Sequence, residues 1–232
     1  RLIMNNDIVN WENLLANQSD FQEKKPFKFT FVKKFFHEKF YDKLYDGFPN
    51  ISERWNKASD HSKLQYNLLW GSKKSTLEIA EEEEDPNFSK EWNEFKQYCH
   101  TDEFIENFRK FSGVPVSKVK HFHFISLKKG CFQLPHIHNV GPSTLICMLY
   151  FSKDWKEGEP GGTYMAKEED ESSLIFEPYD LDNSIAIFQD SEFSAHGTRY
   201  LTSDVERRAL QITLEGYDDI NGWSGGIPIR KM

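Results

Sequence analysis

The feature that most limits the fold is a change of texture at Pro115. Beyond it the chain runs as short apolar segments, each closed by turn-forming residues. Eight such segments are readable, at residues 118–128, 131–138, 144–152, 161–167, 173–178, 184–190, 194–201 and 207–216. They are rich in Ile, Phe, Tyr and Thr, side chains that suit a pleated, half-buried surface. Gly141-Pro142, residues 158–162 and residues 180–183 separate them. Eight short strands in succession predict two packed antiparallel sheets, a jelly roll.

The part before Pro115 reads as mostly helical. Ile8, Trp11, Leu14 and Leu15 fall on one face of a short helix. Phe27, Phe29 and Phe31 alternate with Lys28, Thr30 and Val32, as in a strand. Phe40, Leu44 and Phe48 are four apart and predict a helix stopped by Pro49 and Asn50. Trp92, Phe95, Tyr98 and Cys99, continued by Phe104, Ile105, Phe108 and Phe111, predict another helical face before Gly113 and Pro115. The expected architecture is a mainly β core, a double-stranded β-helix (jelly roll), with an α-helical N-terminal support. Residues 1–115 form the helical region packed on the core, 116–217 the β core and 218–232 a C-terminal tail. That tail, with Trp223 and Gly225-Gly226, either lids a pocket or ends the chain. The acidic run from Glu81 to Asp85 reads as a solvated loop, because adjacent like charges repel.

Charge and cysteine usage bound the partners. The chain carries 29 Lys and Arg against 37 Asp and Glu, a net charge of -8, which argues against a general nucleic-acid binder. No apolar run approaches the ~20 residues of a membrane helix. Aromatic residues are 15% of the sequence, enough to build a buried core and to exclude disorder as the main state. Cys99, Cys131 and Cys147 are widely spaced and form no CxxC pair, so neither a disulfide framework nor a zinc knuckle is expected. They read as reduced thiols in a cytoplasmic protein. No basic-then-apolar leader opens the sequence, and a start at Arg1 leaves a trimmed one open.

The densest chemical signal is Leu134-Pro-His-Ile-His138. On a strand, residues i and i+2 share a face, so His136 and His138 can bite one metal ion. They can equally be two half-buried histidines without a ligand. His121-Phe-His123 has the same spacing and is read as a structural pair. Two strands after the second pair comes Ser194-Ala-His-Gly197, and a sandwich can bring His196 beside His136 and His138. Three ligands on one side of a metal leave the remaining positions open for substrate and dioxygen. On the last strand Arg208, Leu210, Ile212 and Leu214 form an apolar face for the core or the helices. Arg207, Ala209, Gln211 and Thr213 form the other, suited to lining a cavity. There Arg207 would offer a planar guanidinium to a carboxylate; a surface salt bridge is its alternative. Tyr150, on the same face as Ile146 and Met148, is either a second donor to that carboxylate or core filler.

In order and spacing, Gly130, Pro135-His136, His138, Tyr150, Asp154-Trp155, Gly161-Gly162, His196-Gly197 and Arg207 resemble the iron(II)- and 2-oxoglutarate-dependent dioxygenases, prolyl hydroxylase-like branch. The strand and helix from Phe27 to Pro49 resemble that branch's entry more weakly. The resemblance implies Fe(II) and 2-oxoglutarate as cofactors, with His136 and His196 as iron ligands. It places Arg207, assisted by Tyr150, on the distal carboxylate of 2-oxoglutarate, with Arg208 taking that role if the register slips by one. It further implies hydroxylation of a C–H bond in a peptide, protein or small amino-acid-like substrate. Two positions depart from the pattern. His138 stands where the family has Asp, giving a three-histidine site that suits iron but also nickel, copper and zinc. Leu127 stands where relatives often place a cofactor-binding Tyr. Two alternatives stay open: a cupin-type three-histidine dioxygenase without 2-oxoglutarate, and a non-catalytic metal- or ligand-binding scaffold of the same fold.

Overall fold

Strand alternation sorts the apolar side chains into two layers, one on each face of a curled sheet. The structure, a computed structural model, describes residues 7–71 and 83–226. In chain order the elements are α1 (Trp11–Leu15), α2 (Gln18–Glu23), β1 (Phe29–Lys33), α3 (Glu38–Asp46), β2 (Asn56–Ser59), β3 (Lys63–Leu69), α4 (Lys90–Cys99) and α5 (Asp102–Ser112). The strands β4 (Lys118–Leu127), β5 (Phe132–His136), β6 (Thr144–Phe151), β7 (Tyr164–Ala166), β8 (Leu174–Phe176), β9 (Asp182–Gln189), β10 (Ala195–Thr198) and β11 (Arg207–Glu215) follow. A small hairpin, β12 (Tyr217–Asp218) and β13 (Gly222–Trp223), comes last. The sheet runs β1-β9-β6-β11-β4-β3-β5-β10-β7-β8, with β2 attached to β3, and its paired strands are antiparallel. This is the expected jelly roll.

The fully buried strand β6 shows the layering most clearly. Leu145, Cys147, Leu149 and Phe151 join the outer core, while Ile146, Met148 and Tyr150 join the inner one. β11 does the same, with Leu210, Ile212 and Leu214 outside and Ala209 inside. The outer layer is covered by α4 and α5, whose Trp92, Phe95, Phe104, Phe108 and Phe111 are buried there. Trp92 meets Phe124 edge to face at 4.8 Å, and its indole N–H donates to the Leu44 carbonyl at 3.0 Å. The helix starts are set by side-chain caps: Ser89 Oγ accepts from Trp92 N–H and Thr101 Oγ1 from Phe104 N–H. Gly113, at φ +69°, ends α5 in the left-handed conformation.

Each strand expected beyond Pro115 is present, mostly trimmed at its ends. The N-terminal part differs more from expectation. Besides its helices it supplies β1, β2 and β3, and the β2–β3 hairpin is not among the expected elements. β1 pairs with β9, with Phe29 opposite Phe188, as the Phe27–Phe31 alternation implied. The acidic run also needs correction. Glu81 and Glu82 lie outside the described residues, and Asp85 is buried, accepting hydrogen bonds from Gly71 N–H and Asn87 N–H. The three cysteines are unpaired and buried. Among the described residues no helix is long and apolar enough to cross a membrane.

Candidate metal centre

The three histidines picked out in the sequence come together. His136 ends β5 and lies opposite His196 of β10 in the strand register. One ligand atom from each of His136, His138 and His196 lies within 4.8 Å of the others. The ring centroids are 4.3 Å apart for His136–His196 and 4.9 Å for His138–His196. The route to this geometry differs from simple strand alternation. β5 ends at His136, and His138 sits in a loop containing Asn139 at φ +49° and Gly141 at φ +138°. The loop, rather than the pleat, aims His138 at its partners.

Each strand histidine is oriented by a backbone carbonyl. His136 Nδ1 lies 2.9 Å from Leu134 O, and His196 Nδ1 lies 2.8 Å from Ser194 O. A carbonyl only accepts, so both rings carry the proton on Nδ1 and leave the Nε2 lone pair free. Burial, reinforced by the neighbouring imidazoles, holds His196 well below its ordinary pKa. His136 is lowered chiefly by burial. His138 keeps an exposed edge, yet crowding of its ring, with His136, His121 and Lys63 nearby, pushes it down as well. At neutral pH the cluster is three uncharged imidazoles, the protonation state that metal ligation requires.

Asp190 ties the two ligand-bearing segments together. Its buried carboxylate accepts from the N–H groups of Asn139 (3.2 Å), Val140 (2.5 Å) and Gly141 (3.0 Å), the loop after His138. It also accepts from Ser194 Oγ at 3.3 Å, two residues before His196. The C-terminal hairpin braces the same region. Lys120 Nζ pairs with Glu215 Oε2 at 2.6 Å and donates to the Gly226 carbonyl, and Gly225 N–H donates to Glu215 Oε1.

Arg207 points inward and Arg208 outward, as the alternation of β11 implied. Arg207 is 1% exposed, lies opposite Leu127, and has no ion pair among the described residues. Its Nε donates to Gly161 O at 2.8 Å and its Nη2 to Thr163 Oγ1 at 3.0 Å, while its guanidinium sits 5.3 Å from the Tyr150 ring centroid. Burial pushes its pKa down, although Tyr150 opposes the shift. The Tyr150 hydroxyl accepts from Thr163 N–H at 2.8 Å, which leaves its own proton to donate. Arg208 instead reaches Glu206 and Asn50 at 3.3 Å. Phe188 joins the two halves of the site: its ring lies 4.4 Å from that of His196, and it shares the inner core with Tyr150 and Ala209.

Sequence reasoning missed Asp190 and Thr163, whose roles depend on loops meeting across the fold. It also missed β3, whose Lys63 acts electrostatically on His136 and His138. The alternation of Leu64, Tyr66 and Leu68 with Lys63, Gln65 and Asn67 was the available signal.

No protein-family profile and no curated protein sequence matches the chain. Solved structures do. A Pseudomonas putida prolyl-4-hydroxylase superposes with a TM-score of 0.60 at 13% identity, covering 87% of this chain and 97% of that one. A prolyl hydroxylase from Trichoplax adhaerens, in complex with a hypoxia inducible factor oxygen degradation domain peptide fragment, gives 0.61 at 10% identity, covering 88% of each. HygX from Streptomyces hygroscopicus, with nickel, 2-oxoglutarate and hygromycin B bound, gives 0.53 at 12% identity, covering 88% of this chain and 86% of that one. With its curled antiparallel sheet and its histidine cluster, the chain has the fold shared by prolyl hydroxylases and other 2-oxoglutarate–iron(II) oxygenases.

Proposed function

We propose that the chain is an iron(II)- and 2-oxoglutarate-dependent oxygenase that hydroxylates a C–H bond of a peptidyl or free amino-acid substrate. His136, His138 and His196 hold the metal. Arg207 and Tyr150 receive the distal carboxylate of 2-oxoglutarate. The observation that carries this reading is Arg207, a fully buried guanidinium with neutral hydrogen-bond partners and no carboxylate among the described residues. A buried charge without a counter-ion costs several kcal/mol, and an incoming carboxylate removes that cost. The peptide in the Trichoplax complex supports a peptidyl substrate. The three buried, unpaired thiols support a cytoplasmic location.

The donor set fits the metal, because three neutral imidazoles offer nitrogen lone pairs and leave the remaining coordination positions open. When bound, iron(II) with 2-oxoglutarate and dioxygen supplies the oxidative decarboxylation to succinate that is coupled to C–H hydroxylation. The chain's own residues orient and shield. Arg207 and Tyr150 fix one end of the cosubstrate, with Gly161 and Thr163 holding the guanidinium in plane. Phe188, Met148 and Ile125 of the inner core keep water from the space between. His138 in place of a carboxylate leaves the metal one positive charge richer.

The test is an anaerobic titration with iron(II) and then 2-oxoglutarate, reading the visible charge-transfer band of the chelated cosubstrate. A saturable band is expected. Arg207→Ala should weaken 2-oxoglutarate by about 100-fold, the loss of a buried charged partner, with metal affinity unchanged. Iron binding without the band would favour a cupin-type three-histidine site. Absence of metal binding would leave a scaffold. Either result overturns the reading.

A further inference from the structure

The inner face of the sheet changes character along its length. In the β11–β4 register, Arg207, Ala209, Gln211 and Thr213 lie opposite Leu127, Ile125, His123 and His121. Directly opposed residues share a face. The wall is therefore apolar next to Arg207 and polar at its other end. β3 extends the polar end: Asn67 lies opposite Ile125 and Leu69 opposite His123, so the strand's two-residue period places Lys63 and Gln65 on that face too. Gln65 Nε2 donates to Asn67 Oδ1 at 2.9 Å.

This polar end faces the histidine cluster and is incompletely satisfied. His121 and His123 have ring centroids 6.4 Å apart. The Nε2 of His121 is buried without a hydrogen-bond partner among the described residues. His121 acts electrostatically on His138, and Lys63 acts on His123, His136 and His138, which locates both beside the candidate metal centre. Two lysines border this wall. Lys120 is neutralised by Glu215 at 2.6 Å. Lys63 has no ion pair among the described residues. The acids nearest to it are engaged elsewhere: Asp60 accepts from the Ser62 and Lys63 backbone N–H groups, and Glu169 from Ile137 N–H.

The charges around the site point the same way. Three neutral imidazoles leave a divalent ion uncompensated, and Arg207 and Lys63 add to it. The two carboxylates of 2-oxoglutarate offset only part of that sum. A site with surplus positive charge and unfilled hydrogen-bonding capacity favours an anion and disfavours a cation.

We propose that Lys63, His121, His123 and Gln211 form a receptor for a carboxylate of the primary substrate, so that the chain acts on an acidic amino acid or acidic peptide. As a statement about substrate this rests on the oxygenase reading above; as a binding site it stands on the wall itself. Lys63 supplies the charge, while the two imidazoles and the Gln211 amide supply directional donors.

The experiment uses the full chain loaded with nickel(II), which holds the site without turnover, and saturated with 2-oxoglutarate. Calorimetry then compares N-acetyl-aspartyl amide, its neutral counterpart N-acetyl-asparaginyl amide, and N-acetyl-lysyl amide. The acid should bind at least roughly tenfold more tightly than the neutral probe, and the lysyl probe most weakly. Lys63→Gln should remove most of that preference, and His121→Leu should weaken the acid, both leaving nickel and 2-oxoglutarate affinities unchanged. Equal affinity for acid and neutral probe, or no binding of the acid, overturns the proposal. So does a preference that survives both variants, or competition between the acid and 2-oxoglutarate, which would seat it on Arg207. If 2-oxoglutarate itself fails to bind, the oxygenase reading falls, and the same comparison on the nickel-loaded chain still decides the receptor.

Discussion

The backbone carbonyl of Gly161 accepts from Arg207 Nε at 2.8 Å, and this contact explains why a residue without a side chain stands there. A Cβ on Gly161 would lie 2.0 Å from Trp155 Cζ2, and Trp155 is itself held through its indole N–H to the Glu159 carbonyl. Gly161→Ala must displace either the indole or the carbonyl. The expected result is a loss of about 1–3 kcal/mol in stability, typical of overpacking, together with weaker 2-oxoglutarate binding. Urea denaturation and the cosubstrate titration read the two effects. Unchanged values in both would mean that the loop moves freely and Arg207 does not depend on it.

Asp190 is expected to control metal affinity without touching the metal. Asp190→Ala removes the acceptor for three loop N–H groups and for Ser194 Oγ. Hydrogen bonds to a charged group contribute about 1.5–3 kcal/mol each, and part of the cost returns as water enters. A destabilisation of about 3 kcal/mol is expected, with nickel affinity at least tenfold weaker because His138 loses its anchor. Asp190→Asn should fall between the two, since its amide oxygen still accepts. A folded Asp190→Ala protein with native metal affinity would show that the loop holds His138 unaided.

How much of this was legible in the sequence depended on the range over which each signal acts. The inward turn of Arg207 followed from the two-residue period of β11 alone, with the apolar residues Leu210, Ile212 and Leu214 fixing the opposite face. The meeting of His196 with His136 needed only the strand order of a jelly roll. His138 was placed correctly for an incomplete reason, because a loop of unusual backbone angles does what the pleat was expected to do. Asp190 was not legible at all: its carboxylate serves amides some fifty residues earlier, and nothing near it in sequence announces them. The β2–β3 hairpin was obscured by its mostly polar composition, which reads locally as loop. Asp85 was obscured by its acidic neighbours, although only its own contacts decide its burial.

The substitution of imidazole for carboxylate at position 138 can be reversed. His138→Asp returns an anionic ligand and lowers the net charge of the centre by one. Harder, oxygen-preferring ions such as manganese(II) should gain affinity relative to nickel(II) and copper(II). Succinate formation from 2-oxoglutarate should be retained or gained. Competition titrations and succinate assays on the same preparation check both. Loss of all metal binding would instead mean that the loop is built for the reach of an imidazole and that the carboxylate falls short.

Buried histidines also set how the metal-free protein responds to acid. Burial, with His121 and Lys63 nearby, pushes His123 down to about 3. Its pKa is therefore lower in the folded chain than the ordinary value of about 6.5 in the unfolded one. Below pH 6.5 the unfolded chain takes up a proton that the folded chain refuses. The stability linked to this group is fully present above about pH 6.5 and declines as pH falls toward the folded value. Between pH 6.5 and 5 a single such histidine accounts for about 2 kcal/mol. His123→Gln, which keeps a polar side chain but cannot titrate, should flatten the acid side of the stability profile by about that amount. Urea midpoints of the chelator-treated protein at pH 7.5, 6 and 5 measure it. Parallel profiles for wild type and variant would place the acid sensitivity on other groups, and would mean that the His123 ring accepts a proton without leaving its place in the wall.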